Sequence, residues 1–96
     1  MKIQRNNIDQ IRERIDQLDA KIIELLKQRL AAVEKIGALK REQNIEIEDN
    51  QRELFLQEQL ESLARQNNLS LTFLKRIWDE ILLESYRIQR GNEQDE

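Results

Sequence analysis

Residues 8–39 read IDQIRERIDQLDAKIIELLKQRLAAVEKIGAL. Ile8, Ile11, Ile15, Leu18, Ile22 and Leu25 recur at alternating steps of three and four, and Ala32, Ile36 and Leu39 resume the pattern further on. Such spacing puts one apolar seam along one helix. No glycine precedes Gly37 and the chain has no proline, so nothing in the stretch breaks the helix. The seam is interrupted once, at Arg29, seven residues after Ile22 and four after Leu25. A guanidinium within an apolar stripe is costly unless an anion meets it. What anion that is becomes the question for the rest of the chain.

The helix is expected over residues 7–42, roughly 50 Å at 1.5 Å per residue. That exceeds the width of a globule built from 96 residues, so the seam cannot be hidden by the remainder of one chain and dimerisation is expected. Ile23, Leu26, Leu30 and Val33 flank the seam and widen the apolar surface beyond what a two-stranded coil needs. Arg41 to Glu48 lose the period and read as a connection. Asp49 then suits the N-cap of a second helix over 49–66, with Leu56, Leu60 and Leu63 as its buried stripe. Gln66-Asn67-Asn68 ends it. Ser70 caps a third helix over 70–90, with Phe73 or Leu74, Ile77, Trp78, Ile81, Ser85 and Ile88 facing inward. Gly91 stops that helix, and the acidic residues 92–96 are expected to be a disordered tail. The fold class is therefore all-α, three helices in one domain.

Composition agrees. Charged residues are 36% and hydrophobic residues 39% of the chain, with only two glycines. A sheet protein would need more turn residues and β-branched runs. A formal charge of −3 argues against a nucleic-acid binder, whose affinity comes from basic surface. No apolar run reaches the roughly 18 residues of a membrane span, and the polar start is no signal peptide. Without cysteine there is no disulfide framework, and a cytoplasmic location is expected. Histidine is also absent, which removes the usual metal ligands and nucleophile–base pairs. No metal or other cofactor is expected. What remains are arginine, lysine, carboxylates, serine and glutamine, a set suited to gripping an anion and stabilising charge.

Several of these polar side chains stand where the pattern asks for apolar ones. Lys40 lies eleven residues beyond Arg29, about 20° off the same face and roughly 16 Å further along the axis. Two long side chains leaning together over that span leave room for one small dianion. Ser85 and Gln89 extend the inner stripe of the third helix, and Arg52 and Glu53 sit in the first turn of the second. Each has a plainer reading: a snorkelling cation, a rim ion pair, a serine bonded back to the preceding turn. Arg12, near the start of the long helix, has acidic neighbours in Glu13, Asp16 and Asp19 that explain it as an intrahelical partner. Arg12 also lies about 25 Å along the helix from Arg29. The two cannot grip one small molecule within a single chain, so Arg12 belongs to such a pocket only if a second subunit donates it.

In register, these residues resemble the all-helical (AroQ-class) chorismate mutases, in particular the mutase domain found alone or fused to prephenate dehydratase or dehydrogenase in bacteria. The likeness runs from about Ile8 to Gln89. It is carried by Ile11-Arg12-Glu13 with Ile15-Asp16-Gln17-Leu18-Asp19, by Leu25-Leu26-Lys27-Gln28-Arg29, and by Val33 through Lys40. Asp49-Asn50-Gln51-Arg52-Glu53 and Glu84-Ser85 with Gln89 complete it. No block is specific alone, whereas eight polar positions in register are. The resemblance implies an intertwined antiparallel homodimer and a cofactor-free [3,3] rearrangement of chorismate to prephenate, a step of phenylalanine and tyrosine biosynthesis. It further implies that Arg29 and the partner subunit's Arg12 hold substrate carboxylates, and that Lys40 and Gln89 face the ether oxygen. By the same likeness, Glu53 and the Asp49 backbone meet the ring hydroxyl, while Arg52 and Ser85 complete the pocket around the ring carboxylate. One departure is Glu46 to Glu48, where relatives often carry a proline and a basic or aromatic residue.

Two other readings stay open on the sequence. An isochorismate–pyruvate lyase of the same fold shares the arginines and the lysine, but Glu53 and Ser85 favour the mutase. A non-catalytic helical dimerisation module is the reading from another class, and it gives no reason for Arg29, Lys40, Arg52, Ser85 and Gln89 to occur together on inward faces.

Overall fold

The computed structural model describes the backbone of residues 2–91 and side chains from residue 7 onward. It contains helices α1 (Lys2–Gln43), α2 (Asn50–Asn67) and α3 (Leu71–Arg90), with no strand among the described residues. The expected tail at 92–96 lies outside the described residues. The chain divides into two compact units, one ending at Ala32 within α1 and one from Val33 onward. The described residues of the first unit, 2–32, are helix throughout. Helix α1 begins before residue 7, consistent with a sequence that offers nothing to stop it.

Helix ends follow from local chemistry. Asp49 is extended and its side chain accepts from the Arg52 amide at 3.0 Å. Ser70 does the same for the Phe73 amide at 3.2 Å, so both N-termini have an orphan donor satisfied. Asn44 and Asn68 take left-handed conformations, φ 58° and 59°. In each case the next residue's amide bonds five residues back, Ile45 to the Lys40 carbonyl at 2.8 Å and Leu69 to the Ala64 carbonyl at 2.9 Å. The two connections are thus closed by the same Schellman turn, with asparagine replacing the usual glycine. Gly91, at φ 70°, stops α3.

In the first unit the seam is open to solvent: Ile11 is 61% exposed, Ile22 56% and Leu25 63%. In the second unit α2 packs on α3, and the last turns of α1 meet the end of α3. The inward face of α1 here is Val33, Gly37 and half-buried Lys40, at steps of four and three. Ile36 and Leu39, which continue the seam by spacing, are 48% and 53% exposed within the single chain. The physical reason is the width of the apolar surface: the chain covers its flank and leaves its centre bare. A similar shift occurs on α2, where Leu60 and Ala64 are buried and Leu63 is exposed. On α3, Leu74 and not Phe73 turns inward, and Ile77 stands at the edge.

Among the described residues the buried set is thin and partly polar: Val33, Gly37, Leu60 and Ala64 with Ser85 and Gln89. Burying a leucine such as Leu60 contributes about 1.5–3 kcal/mol. Ser85 and Gln89, by contrast, need partners to be neutral there. Two polar side chains beside so few apolar ones mark where the fold spends its stability on something else.

Candidate active site

Six of the eight polar residues singled out from the sequence lie in the second unit: Lys40, Asp49, Arg52, Glu53, Ser85 and Gln89. They come from the end of α1, the first turn of α2 and the last turns of α3. Arg12 and Arg29 lie in the first unit, Arg12 exposed and Arg29 half-buried and engaged.

Gln89 is the most constrained of the six. It is 7% exposed, and its amide oxygen is buried with no hydrogen-bond partner. Leaving a buried acceptor unmade costs about 1–3 kcal/mol, so the orphan oxygen asks for a reason. Its backbone is gripped from two sides. Gly37 of α1 lies so close that a β-carbon there would be 2.6 Å from Gln89 Cα and 2.8 Å from its carbonyl oxygen. The Arg41 guanidinium donates to that same carbonyl, which α3 leaves unmatched near its end. The fold therefore fixes the Gln89 backbone firmly and leaves its side-chain oxygen unanswered.

Ser85 lies one turn earlier on α3 and is 2% exposed. Its hydroxyl donates to the Ile81 carbonyl at 2.7 Å, the back-bond to the preceding turn that its position in mid-helix suggests. Lys40 is half-buried, and its ammonium donates to the Ile47 carbonyl at 2.8 Å. An ammonium has three donors, so this bond ties Lys40 to the connection and leaves two for a ligand. Ile47, half-buried itself, thereby anchors the connection through backbone as well as side chain.

At the mouth of α2, Asp49 serves as the cap already described. The exposed Arg52 places its guanidinium 5.1 Å over the Phe55 ring, a cation–π contact one turn along the helix. Glu53 is half-buried and accepts from the Tyr86 phenol of α3. Burial, then the hydrogen bond to Glu53, then the negative charges of Glu53, Glu48 and Asp49 push that phenol well above its ordinary value. Tyr86 is therefore a neutral donor at any physiological pH. Arg90, one turn further on, lies 6.0 Å over the Tyr86 ring and pairs with Glu48 at 3.0 Å. Glu84 pairs on the surface with Arg87 at 2.7 Å, and that hydrogen bond holds its carboxyl below the ordinary value.

Gly37, Arg41 and Tyr86 are the residues that sequence reading missed. Gly37 had one signal, a glycine inside a helix otherwise free of them, which is tolerated at a cost and usually for close packing. Arg41 and Tyr86 act across helices and had none. Among the described residues, no group of three histidine, cysteine or carboxylate side chains is arranged to hold a metal, and no helix is long and apolar enough to cross a membrane.

Comparison with known proteins places these residues in a family context. The family model for chorismate mutase type II matches residues 11–90. Over 86 residues the chain is 33% identical to the bifunctional chorismate mutase/prephenate dehydratase of Buchnera aphidicola subsp. Schizaphis graminum. The match covers 90% of this chain and 22% of that protein, so the chain spans about a fifth of the relative's length. No solved structure matches.

Proposed function

Because the chain belongs to the chorismate mutase type II family, we propose that it converts chorismate to prephenate by a unimolecular [3,3] rearrangement. The observation that carries the reading within the structure is Gln89, whose buried amide oxygen lacks a partner while its backbone is locked in place. A ligand donor to that oxygen removes a cost the fold bears, whereas the ether oxygen, itself an acceptor, takes its hydrogen bond from the Nε2–H of the same amide.

The reaction needs no nucleophile, metal or proton relay. The protein must hold a compact diaxial conformer and stabilise the negative charge that grows on the ether oxygen as the C–O bond stretches. Lys40 supplies a full positive charge for that oxygen and Gln89 a neutral hydrogen bond. The Ile47 carbonyl aims the ammonium before substrate arrives, so little reorganisation is left for the chemical step. Arg29 and the partner subunit's Arg12 hold the two carboxylates. Glu53 and the Asp49 backbone meet the ring hydroxyl, and Arg52 and Ser85 complete the pocket around the ring carboxylate.

The active form in this proposal is an intertwined antiparallel homodimer. The exposed seam of Ile8, Ile11, Ile15, Leu18, Ile22 and Leu25 supports it, because so long an apolar stripe needs a partner in water. The distance between Arg12 and Arg29 along one helix supports the sharing of each site between two subunits.

The test is to follow chorismate and isochorismate side by side. Loss of chorismate absorbance with prephenate formed and no pyruvate released is the expected result. Pyruvate released from isochorismate, with chorismate untouched, would replace the mutase by the lyase, and inertness toward both would leave a helical dimerisation module.

A further inference from the structure

We propose that Tyr86 is a positioning residue of this site: its phenol, donating to Oε2 of Glu53, holds that carboxylate so that Oε1 meets the substrate's ring hydroxyl. The inference rests on the reading above, in which Glu53 faces that hydroxyl.

Glu53 stands in the first turn of α2, its amide bonded to the Asp49 carbonyl at 3.0 Å. A glutamate there has three rotatable side-chain bonds and solvent on one side, so its carboxylate would sample many positions if nothing held it. Tyr86 comes from α3, 33 residues away in sequence. It neighbours Ser85 and stands three residues before Gln89, on the helix that carries both buried polar side chains. Its ring is fixed in turn: Arg90 lies over it and ion-pairs with Glu48 of the connection. The series Glu48, Arg90, Tyr86, Glu53 thus ties the connection to α3 and α3 to α2.

The chemical nature of the donor matters. An arginine or lysine at this point would neutralise Glu53 and compete for both of its oxygens. A phenol engages one oxygen and brings no charge, so the carboxylate remains a strong acceptor on the other. Burial, the hydrogen bond to Glu53 and the negative charges of Glu53, Glu48 and Asp49 together keep the phenol protonated, and the donor role persists across the working range of pH.

The test is a double-mutant cycle in steady-state kinetics with chorismate, using the parent chain, Tyr86→Phe, Glu53→Ala and the double variant. Phenylalanine keeps the ring under Arg90 and removes only the donor. The ring hydroxyl takes no part in the bonds that change, so its loss is a loss of uniform binding. Tyr86→Phe is therefore expected to raise KM about tenfold with kcat within about twofold, and to change nothing on the Glu53→Ala background. If Glu53→Ala turns over too slowly to measure, the same cycle is run on Kd for prephenate. An unchanged KM in Tyr86→Phe would overturn the inference, as would an equal rise on both backgrounds. So would a fall confined to kcat, the mark of a smaller folded fraction. A parent chain that turns over no chorismate would instead overturn the proposed function, and this inference with it.

Discussion

Gly37 and Gln89 meet backbone to backbone, with the space for a β-carbon on Gly37 occupied by Gln89 Cα and its carbonyl oxygen. The obstacle is main chain, which cannot swing aside as a side-chain tip can. Alanine ordinarily stabilises a helix by about 1 kcal/mol over glycine, yet at this position it must push α3 away from α1. Overpacking of this kind costs about 1–3 kcal/mol. Gly37→Ala is expected to lower Tm and to lower kcat/KM by more than tenfold, measured by thermal unfolding and the chorismate assay. A rise in Tm would show that α3 yields at no cost.

Lys40→Ala is expected to lower kcat/KM by at least about 100-fold, the scale of losing one donor to a developing oxyanion. The main loss should fall on kcat, because the charge it answers exists chiefly in the transition state. An effect below tenfold would remove Lys40 from the chemistry and leave it as the tether of Ile47.

A shared site makes a prediction that no single chain can satisfy. Arg12→Ala and Arg29→Ala chains should each be nearly inactive, whereas a mixture should regain activity, because one of the two sites in the heterodimer keeps both arginines. Heterodimers shown to form by native mass spectrometry, yet without activity, would place both arginines in one subunit's site or in none.

Tyr86 predicts an alkaline signature. Its phenol is raised in the folded chain by burial and by Glu53, so its contribution to stability is fully present below the unfolded value of about 10. It is lost as pH rises above that value toward the folded one. The Tm of the parent should therefore fall more steeply above about pH 10 than that of Tyr86→Phe. Parallel curves would mean that neither burial nor the bond to Glu53 favours the protonated phenol in the folded chain.

The parts of this chain legible in its sequence are those set by neighbours along the chain. Asp49 and Ser70 are caps because their oxygens reach an amide three residues on. Asn68 and Gly91 end helices because of the backbone conformations they tolerate. Three helices and their order follow from such signals. What the sequence does not carry is which side of a broadly apolar helix its own chain will cover. Ala32, Ile36 and Leu39 continue the seam by spacing, yet Val33 and Gly37 turn inward. Periodicity locates an apolar surface, and only tertiary packing divides it among partners. Leu63 and Ala64 exchange roles on α2 for the same reason. In the candidate site, the bond from Tyr86 to Glu53 joins residues whose separation has no period, and Arg41 reaches a carbonyl rather than a side chain. Neither leaves a trace in composition or spacing.

The bare seam of α1 has a thermodynamic consequence. In the proposed homodimer, a chain that exposes Ile11, Ile22 and Leu25 on its own would draw much of its stability from association, which obeys mass action. Its unfolding midpoint should therefore climb with protein concentration. Dilution alone, without denaturant or heat, should melt the helix and disperse the site together. For such a molecule the amount made in the cell is itself a term in its stability.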